Sequence, residues 1–196
     1  MLRRILAIAV ALLLALPAAA AQACTSRAVG LTNHGRLVCG VRLPAETDAL
    51  VTWDNVLQRS PNRALRRYGT QKLIDTVQLL SLDYGTRFPI GPRLVVGDLS
   101  RKHGGPFGVE FGGVGHASHQ NGLDVDVYYP RKDGLEIPPT APSQIDRERA
   151  QWLVNRVAHT ARFVFIGPNT GIKPPSRNVQ FLPAYHDNHF HLRIYP

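Results

Sequence analysis

Two short windows constrain this chain more than anything else in it: HASHQNGLDVDVYY over residues 116–129 and HDNHFHLR over residues 186–193. Of the eight histidines, five fall in these windows, together with Asp124, Asp126 and Asp187. Imidazole and carboxylate concentrated in this way are the donors of a transition-metal site. Neither window contains a cysteine, and Cys24 and Cys39 are not available to close the set.

After Gly122 the apolar residues Leu123, Val125 and Val127 alternate with Asp124, Asp126 and Tyr128, which is the period of a strand and puts both carboxylates on one face. His119 precedes this strand across a glycine-containing turn, so its imidazole and the Asp126 carboxylate can approach one ion. The second window alternates as well, with His189 and His191 facing one way and Phe190 and Leu192 the other. Same-face neighbours on a strand stand ~7 Å apart. One of these two imidazoles is therefore read as a metal ligand and the other as a catalyst beside it. A His, Asp, His donor set suits Zn2+ and leaves a position open for water, as catalytic zinc sites do. Asp124, on the same face, is either an acceptor that orients a ligand imidazole or a solvated strand acid.

The chain opens with Arg3 and Arg4, an apolar run from Ile5 to Leu16, Pro17, and then Ala21-Gln22-Ala23. This pattern reads as a secretory signal peptide over residues 1–23, followed by one domain over residues 24–196. The apolar run is too short and too interrupted for a membrane span, so the expected location is exported: periplasmic, extracellular or cell-wall. Cys24 and Cys39, an even pair in an exported chain, predict a disulfide. Lipid attachment at Cys24 is the competing reading; it would leave Cys39 unpaired, and Ala21 and Gln22 match a lipidation signal poorly. The formal charge of +9 over the whole chain, or +7 once the two leader arginines are removed, suits an anionic surface such as the bacterial wall. Its arginines are scattered apart from RALRRYG at residues 63–69, and no nucleic-acid-binding module accompanies them, which argues against that partner. Oligomeric state leaves no signal.

Along the domain, a turn is expected at Asn33-His34-Gly35 before a strand over residues 37–41, then irregular chain to Arg67. A helix capped by Thr70 carries Leu73, Ile74, Val77 and Leu80 at helical spacing and ends near Tyr84-Gly85. Residues 93–99 read as a buried strand leading into a loop with six glycines between Gly104 and Gly115, flexible enough to border a groove. A capping-box start at Ser143 and Asp146 predicts a helix to Ala158 with Ile145, Trp152, Leu153 and Val157 inward. Residues 162–166 and 188–194 complete the strands, with a loop from Gly167 to Pro183 between them. The fold class is α+β: a single domain in which a small antiparallel sheet carries the metal residues, flanked by helices and long loops.

No serine stands in a Gly-x-Ser-x-Gly elbow or begins Ser-x-x-Lys, and His-Glu-x-x-His is absent, so a metal-activated water is the natural nucleophile. HASHQNGLDVD followed by HDNHFHLR resembles the penicillin-insensitive murein endopeptidases, within the wider group that joins lysostaphin-type enzymes, D-Ala-D-Ala peptidases and the Hedgehog signalling domain. GRLVCGVRL, RALRRYGTQKLIDTV and LVVGDLSRKHGGP resemble the family in the same order. The resemblance implies a zinc enzyme that cleaves D-alanyl to meso-diaminopimelyl cross-links in peptidoglycan stem peptides and is insensitive to β-lactams because it forms no acyl-serine. It assigns His119, Asp126 and His191 as zinc ligands and His189 as the catalytic histidine. His186 matches a further histidine near the family's site, and His116 one that serves an accessory metal. Residues 130–158 hold no histidine to complete that accessory site. A zinc carboxypeptidase trimming terminal D-alanine and a non-catalytic wall-binding module that keeps the zinc fold are the alternatives. Tyr128, Tyr185 and Tyr195 read as packing residues or groove lining, and Asp187 as structural.

Overall fold

The two histidine windows supply neighbouring strands at the centre of one sheet. The computed structural model describes residues 24–109, 116–183 and 185–196; the leader read over residues 1–23 and the glycine-rich residues 110–115 lie outside them. In chain order the elements are β1 (Arg27–Leu31), β2 (His34–Val38), β3 (Val41–Arg42), β4 (Leu50–Thr52), β5 (Tyr68–Gly69), α1 (Gln71–Arg87), β6 (Leu94–Val96), β7 (Asp124–Tyr128), α2 (Arg147–Ala158), β8 (Ala161–Ile166), β9 (Val179–Phe181) and β10 (His189–Ile194). Six of these strands form the main sheet in the order β4-β6-β7-β10-β8-β9. Its middle is antiparallel, as expected at the metal strands, but β4 pairs with β6 and β8 with β9 in parallel, so the sheet is mixed at both edges.

Alternation along the strands sorts the residues into two faces. Leu94, Val96, Val125, Val127, Val164, Ile166, Phe190 and Leu192 turn to one side and bury against Leu73, Ile74, Val77 and Leu80 of α1 and Leu153, Val154 and Val157 of α2. Each such side chain contributes ~1.5–3 kcal/mol of transfer free energy. The opposite face carries Asp124, Asp126, His189 and His191. Among the described residues, α1 and α2 both contribute to the apolar cluster on the other side; a small second cluster of Val51, Trp53, Val95 and Tyr128 packs at one end of this face.

Helix α1 begins as its sequence predicts, with the Thr70 hydroxyl accepting a hydrogen bond from the Leu73 amide at 3.2 Å. It continues past Tyr84-Gly85 to Arg87, because Tyr84 packs inward against Phe88 and Trp152 and keeps the last turn in register. The Thr70 amide also donates to the Gly122 carbonyl at 3.0 Å, tying the head of this helix to the turn ahead of β7. Gly122 has φ +80°, and a Cβ there would meet the Leu37 side chain at 2.7 Å. Only glycine fits this crossing.

Several local expectations are corrected. The turn near residue 33 belongs to a hairpin: Leu31 pairs with His34, leaving Thr32-Asn33 as its two-residue loop. Strand β2 stops at Val38, because Cys39 takes a left-handed φ of +49°. Ser143 lies in a 3-10 turn, Pro142–Gln144, and the cap of α2 is Asp146, whose carboxylate accepts from the Arg149 amide at 3.1 Å. The long loop after Gly167 contains β9. Cys24 and Cys39 are disulfide-bonded with Cα atoms 5.9 Å apart. The basic run at residues 63–69 turns inward: Arg63 binds Asp54, Arg66 binds Asp98, and Arg67 donates to the carbonyls of Leu43 and Asn62. It is internal structure, not a polyanion surface. Among the described residues no helix is long and apolar enough to cross a membrane.

Candidate metal centre

The antiparallel register sets His191 directly opposite Asp126, Arg193 opposite Asp124 and His189 opposite Tyr128. Strand pairing thus delivers the second window's imidazoles to the carboxylates of the first. His119 reaches the same point from the preceding turn. Its φ of +66° is left-handed, unusual for a residue with a Cβ. The conformation is held by the Asp124 carboxylate, which accepts from its amide at 3.2 Å, and by the Ser100 hydroxyl, which donates to its carbonyl.

Three donor atoms converge. His119 Nε2 lies 3.1 Å from His191 Nδ1, His191 Nδ1 lies 3.1 Å from Asp126 Oδ1, and His119 Nε2 lies 3.4 Å from Asp126 Oδ1. Zinc bonds of ~2.0–2.1 Å at tetrahedral angles require donor separations of ~3.3–3.4 Å, so the triangle has the size of one face of such a site. Its chemistry fits too. His119 donates from Nδ1 to the Leu99 carbonyl at 3.1 Å, and His191 donates from Nε2 to Asp124 Oδ1 at 2.9 Å. Each ring therefore turns a nitrogen lone pair toward the Asp126 carboxylate when neutral. Without a cation, these lone pairs would oppose one another in a site where His119 is wholly buried and Asp126 and His191 nearly so.

His116 stands at the margin, with Nδ1 3.6 Å from Asp126 Oδ2 and Nε2 on Asp98 Oδ2 at 2.8 Å. Donor atoms of His116, His119 and Asp126 all lie within 4.8 Å of one another, a wider group than the His119, Asp126, His191 triangle. The triangle is the better fit to a single small ion, because its edges match a tetrahedron. His189 keeps Nε2 3.7 Å from Asp126 Oδ1 and gives Nδ1 to Asn188 Oδ1 at 2.7 Å. The His186 ring centres 4.9 Å from that of His189 and 6.4 Å from that of Phe165. All five window histidines are thus brought together.

Charge follows from burial and neighbours. Burial opposes ionisation of Asp126, but His119, His189 and His116 around it hold its carboxyl well below the usual range. Asp124 is likewise lowered to about 2 against burial by His191, His119 and Arg193. Burial pushes His119 down, and it pushes His189 down to about 4, leaving both neutral. His191, between two carboxylates, is raised to about 9 despite burial, so in the metal-free protein a proton takes the cation's place. Asp124 is a buried acceptor rather than a solvated strand acid. Asp187 serves the loop, accepting from the Asn169 amide and side chain. Tyr128 packs beside the site, while Tyr185 is 91% exposed.

Sequence reasoning did not single out Asp98, Leu99 or Asn188, each of which anchors an imidazole. The faint signals were an acid ending an apolar run, Asp98 in LVVGDL, and an amide next to a histidine, Asn188 in HDNH.

A family model described as penicillin-insensitive murein endopeptidase matches residues 28–163. The chain belongs to this family. Proteins of that name from Salmonella arizonae and Citrobacter koseri are 33% identical over 128 residues and 31% identical over 139 residues, covering 65% and 67% of this chain. These alignments cover 39% and 42% of the relatives' own length. The span matched by the family model holds Asp98, His116, His119, Asp124 and Asp126 and ends before His186, His189 and His191. It is the β7–β10 register that joins His189 and His191 to the rest, and His186 sits beside His189.

Proposed function

We propose that this chain is an exported, zinc-dependent murein endopeptidase that hydrolyses the D-alanyl to meso-diaminopimelyl cross-links of peptidoglycan without an acyl-serine. The observation that carries the reading is the buried triangle of His119 Nε2, Asp126 Oδ1 and His191 Nδ1, at tetrahedral-edge separations, in a member of this family. These three residues would hold the zinc. Zinc held there would supply Lewis acidity and water activation near neutral pH.

The remaining chemistry falls to side chains around the triangle. His189 is neutral, and its Nδ1 proton is committed to Asn188 Oδ1. Its Nε2 lone pair is therefore the atom that takes a proton from the attacking water and returns it to the departing amine. Asp126, beside that nitrogen, stabilises the imidazolium formed in between. Asp124 holds the His191 ring through Nε2 and is itself held by Arg193 Nε at 2.6 Å. His186, whose ring centre lies 4.9 Å from that of His189, would donate to a developing oxyanion. The Cys24–Cys39 disulfide agrees with an oxidising compartment outside the cytoplasm.

Digestion of purified cross-linked peptidoglycan, followed by mass spectrometry of the released products, tests the reading. Dimeric muropeptides should fall to intact monomers, and a chelator should stop the reaction. Loss of a single D-alanine with the cross-links retained would instead indicate the carboxypeptidase. Binding without any product would indicate the wall-binding module.

A further inference from the structure

We propose that Asp98 is a positioning residue of this centre, acting through His116; the inference rests on the metal-centre reading above. Asp98 follows β6, is 3% exposed, and takes four donors on its carboxylate. Arg66 Nε at 2.8 Å and Asn62 Nδ2 at 2.9 Å meet Oδ1, while Arg66 Nη2 at 2.6 Å and His116 Nε2 at 2.8 Å meet Oδ2. An ionised carboxylate has about four lone-pair sites, so Asp98 keeps none for a proton of its own. The proton in the bond to His116 must come from Nε2. A neutral His116 then carries its lone pair on Nδ1, the nitrogen that faces Asp126.

Two further contacts tie this anchor to the centre. The Asp126 amide donates to the Asp98 carbonyl at 3.0 Å, and the Gly97 amide donates to the Asp126 carbonyl at 2.8 Å. The next carbonyl, that of Leu99, receives His119 Nδ1. Consecutive residues thus fix the tautomers of two imidazoles and the backbone of the carboxylate between them. Arg66 is fully buried, with its guanidinium 4.4 Å from the centroid of the Phe107 ring, and Phe107 in turn meets the His116 ring edge-on at 5.7 Å. A buried ion pair adds little net stability over a well-packed apolar substitute. Its place under the donor cluster is better accounted for by orientation.

The test measures zinc affinity by competition with a chromophoric chelator for wild type, Asp98→Asn, His116→Ala and the double variant, each stripped of metal beforehand. His116 reaches the donor triangle through Asp126 Oδ2, and losing an outer partner of this kind typically costs 10–100-fold in metal affinity. Asp98→Asn should weaken zinc binding by about that factor in the wild-type background and by little in the His116→Ala background. Equal weakening in both backgrounds would show a merely structural role, and unchanged affinity in either single variant would also overturn the proposal. A wild type that takes up no zinc at all would remove the metal-centre reading itself, a result distinct from these. Nitrogen-15 correlation spectra of the wild-type histidines keep the test independent of whether Asp98→Asn folds. They should show His116 protonated at Nε2, and a ring protonated at Nδ1 alone would refute the inference.

Discussion

His191 and Asp126 face each other across the antiparallel pair β7 and β10, with Nδ1 and Oδ1 3.1 Å apart. This one register fixes the site, because a shift by one residue would turn every imidazole of β10 to the helical face of the sheet. It also gives the two histidines of β10 different positions. His191 lies within the donor triangle, whereas His189, one pleat along, is paired with Tyr128 and keeps Nε2 3.7 Å from Asp126 Oδ1.

Replacing His189 by Ala should therefore leave fold and zinc content nearly intact while turnover falls ~10²-fold or more, the usual scale for a positioned acid-base group. Cleavage rates on a cross-linked muropeptide dimer, read beside the metal content, check this. Unchanged cleavage, or loss of zinc with the side chain, would reverse the assignment.

How much of this was legible in sequence depends on the range of the signal. The acids of β7 and the histidines of β10 announce their shared faces through the two-residue period, and Thr70 announces α1 through its hydroxyl and the spacing of Leu73, Ile74 and Val77. Strands β4 and β9 have three residues each, too few for a period to register, and β9 sits in a stretch whose prolines argue for a loop. Ser143 imitates a helix cap, but Pro142 heads a separate 3-10 turn and the cap moves to Asp146. Asp98 was invisible because its partners, Asn62 and Arg66, are more than thirty residues away and are brought to it only by the folded sheet.

The disulfide closes a loop with a sequence separation of 15, a length worth ~3 kcal/mol in the chain-entropy model. Changing both cysteines to serine should lower the unfolding free energy by about that amount, measured by denaturant titration. Intact-mass analysis of the exported protein should find no free thiol and no lipid. A diacylglycerol on Cys24 would contradict the pairing.

Acid should weaken the fold through Asp54. Its carboxylate, fully buried, accepts from the amides of Val56 at 2.9 Å and Leu57 at 3.0 Å and binds Arg63. Burial raises its pKa, but these partners outweigh burial and hold it below the ordinary value. A carboxyl depressed in the folded state stabilises above its unfolded pKa of ~3.9, and that contribution is lost as pH falls through the folded value. Asp54→Asn should cost ~1–3 kcal/mol at pH 7 and lose less stability than wild type between pH 5 and pH 2. Parallel pH dependence in the two proteins would show that Asp54 contributes nothing.

Calorimetric titration of zinc into the metal-stripped protein tests the central claim most directly. Wild type should bind about one equivalent tightly and release protons, since His191 must lose the proton it holds in the metal-free state. Asp126→Ala, which removes the carboxylate that His116, His119, His189 and His191 face, should abolish tight binding while the circular dichroism spectrum remains that of the folded protein. Zinc binding of undiminished affinity in folded Asp126→Ala, or no binding by wild type, would contradict the metal centre built from these two windows.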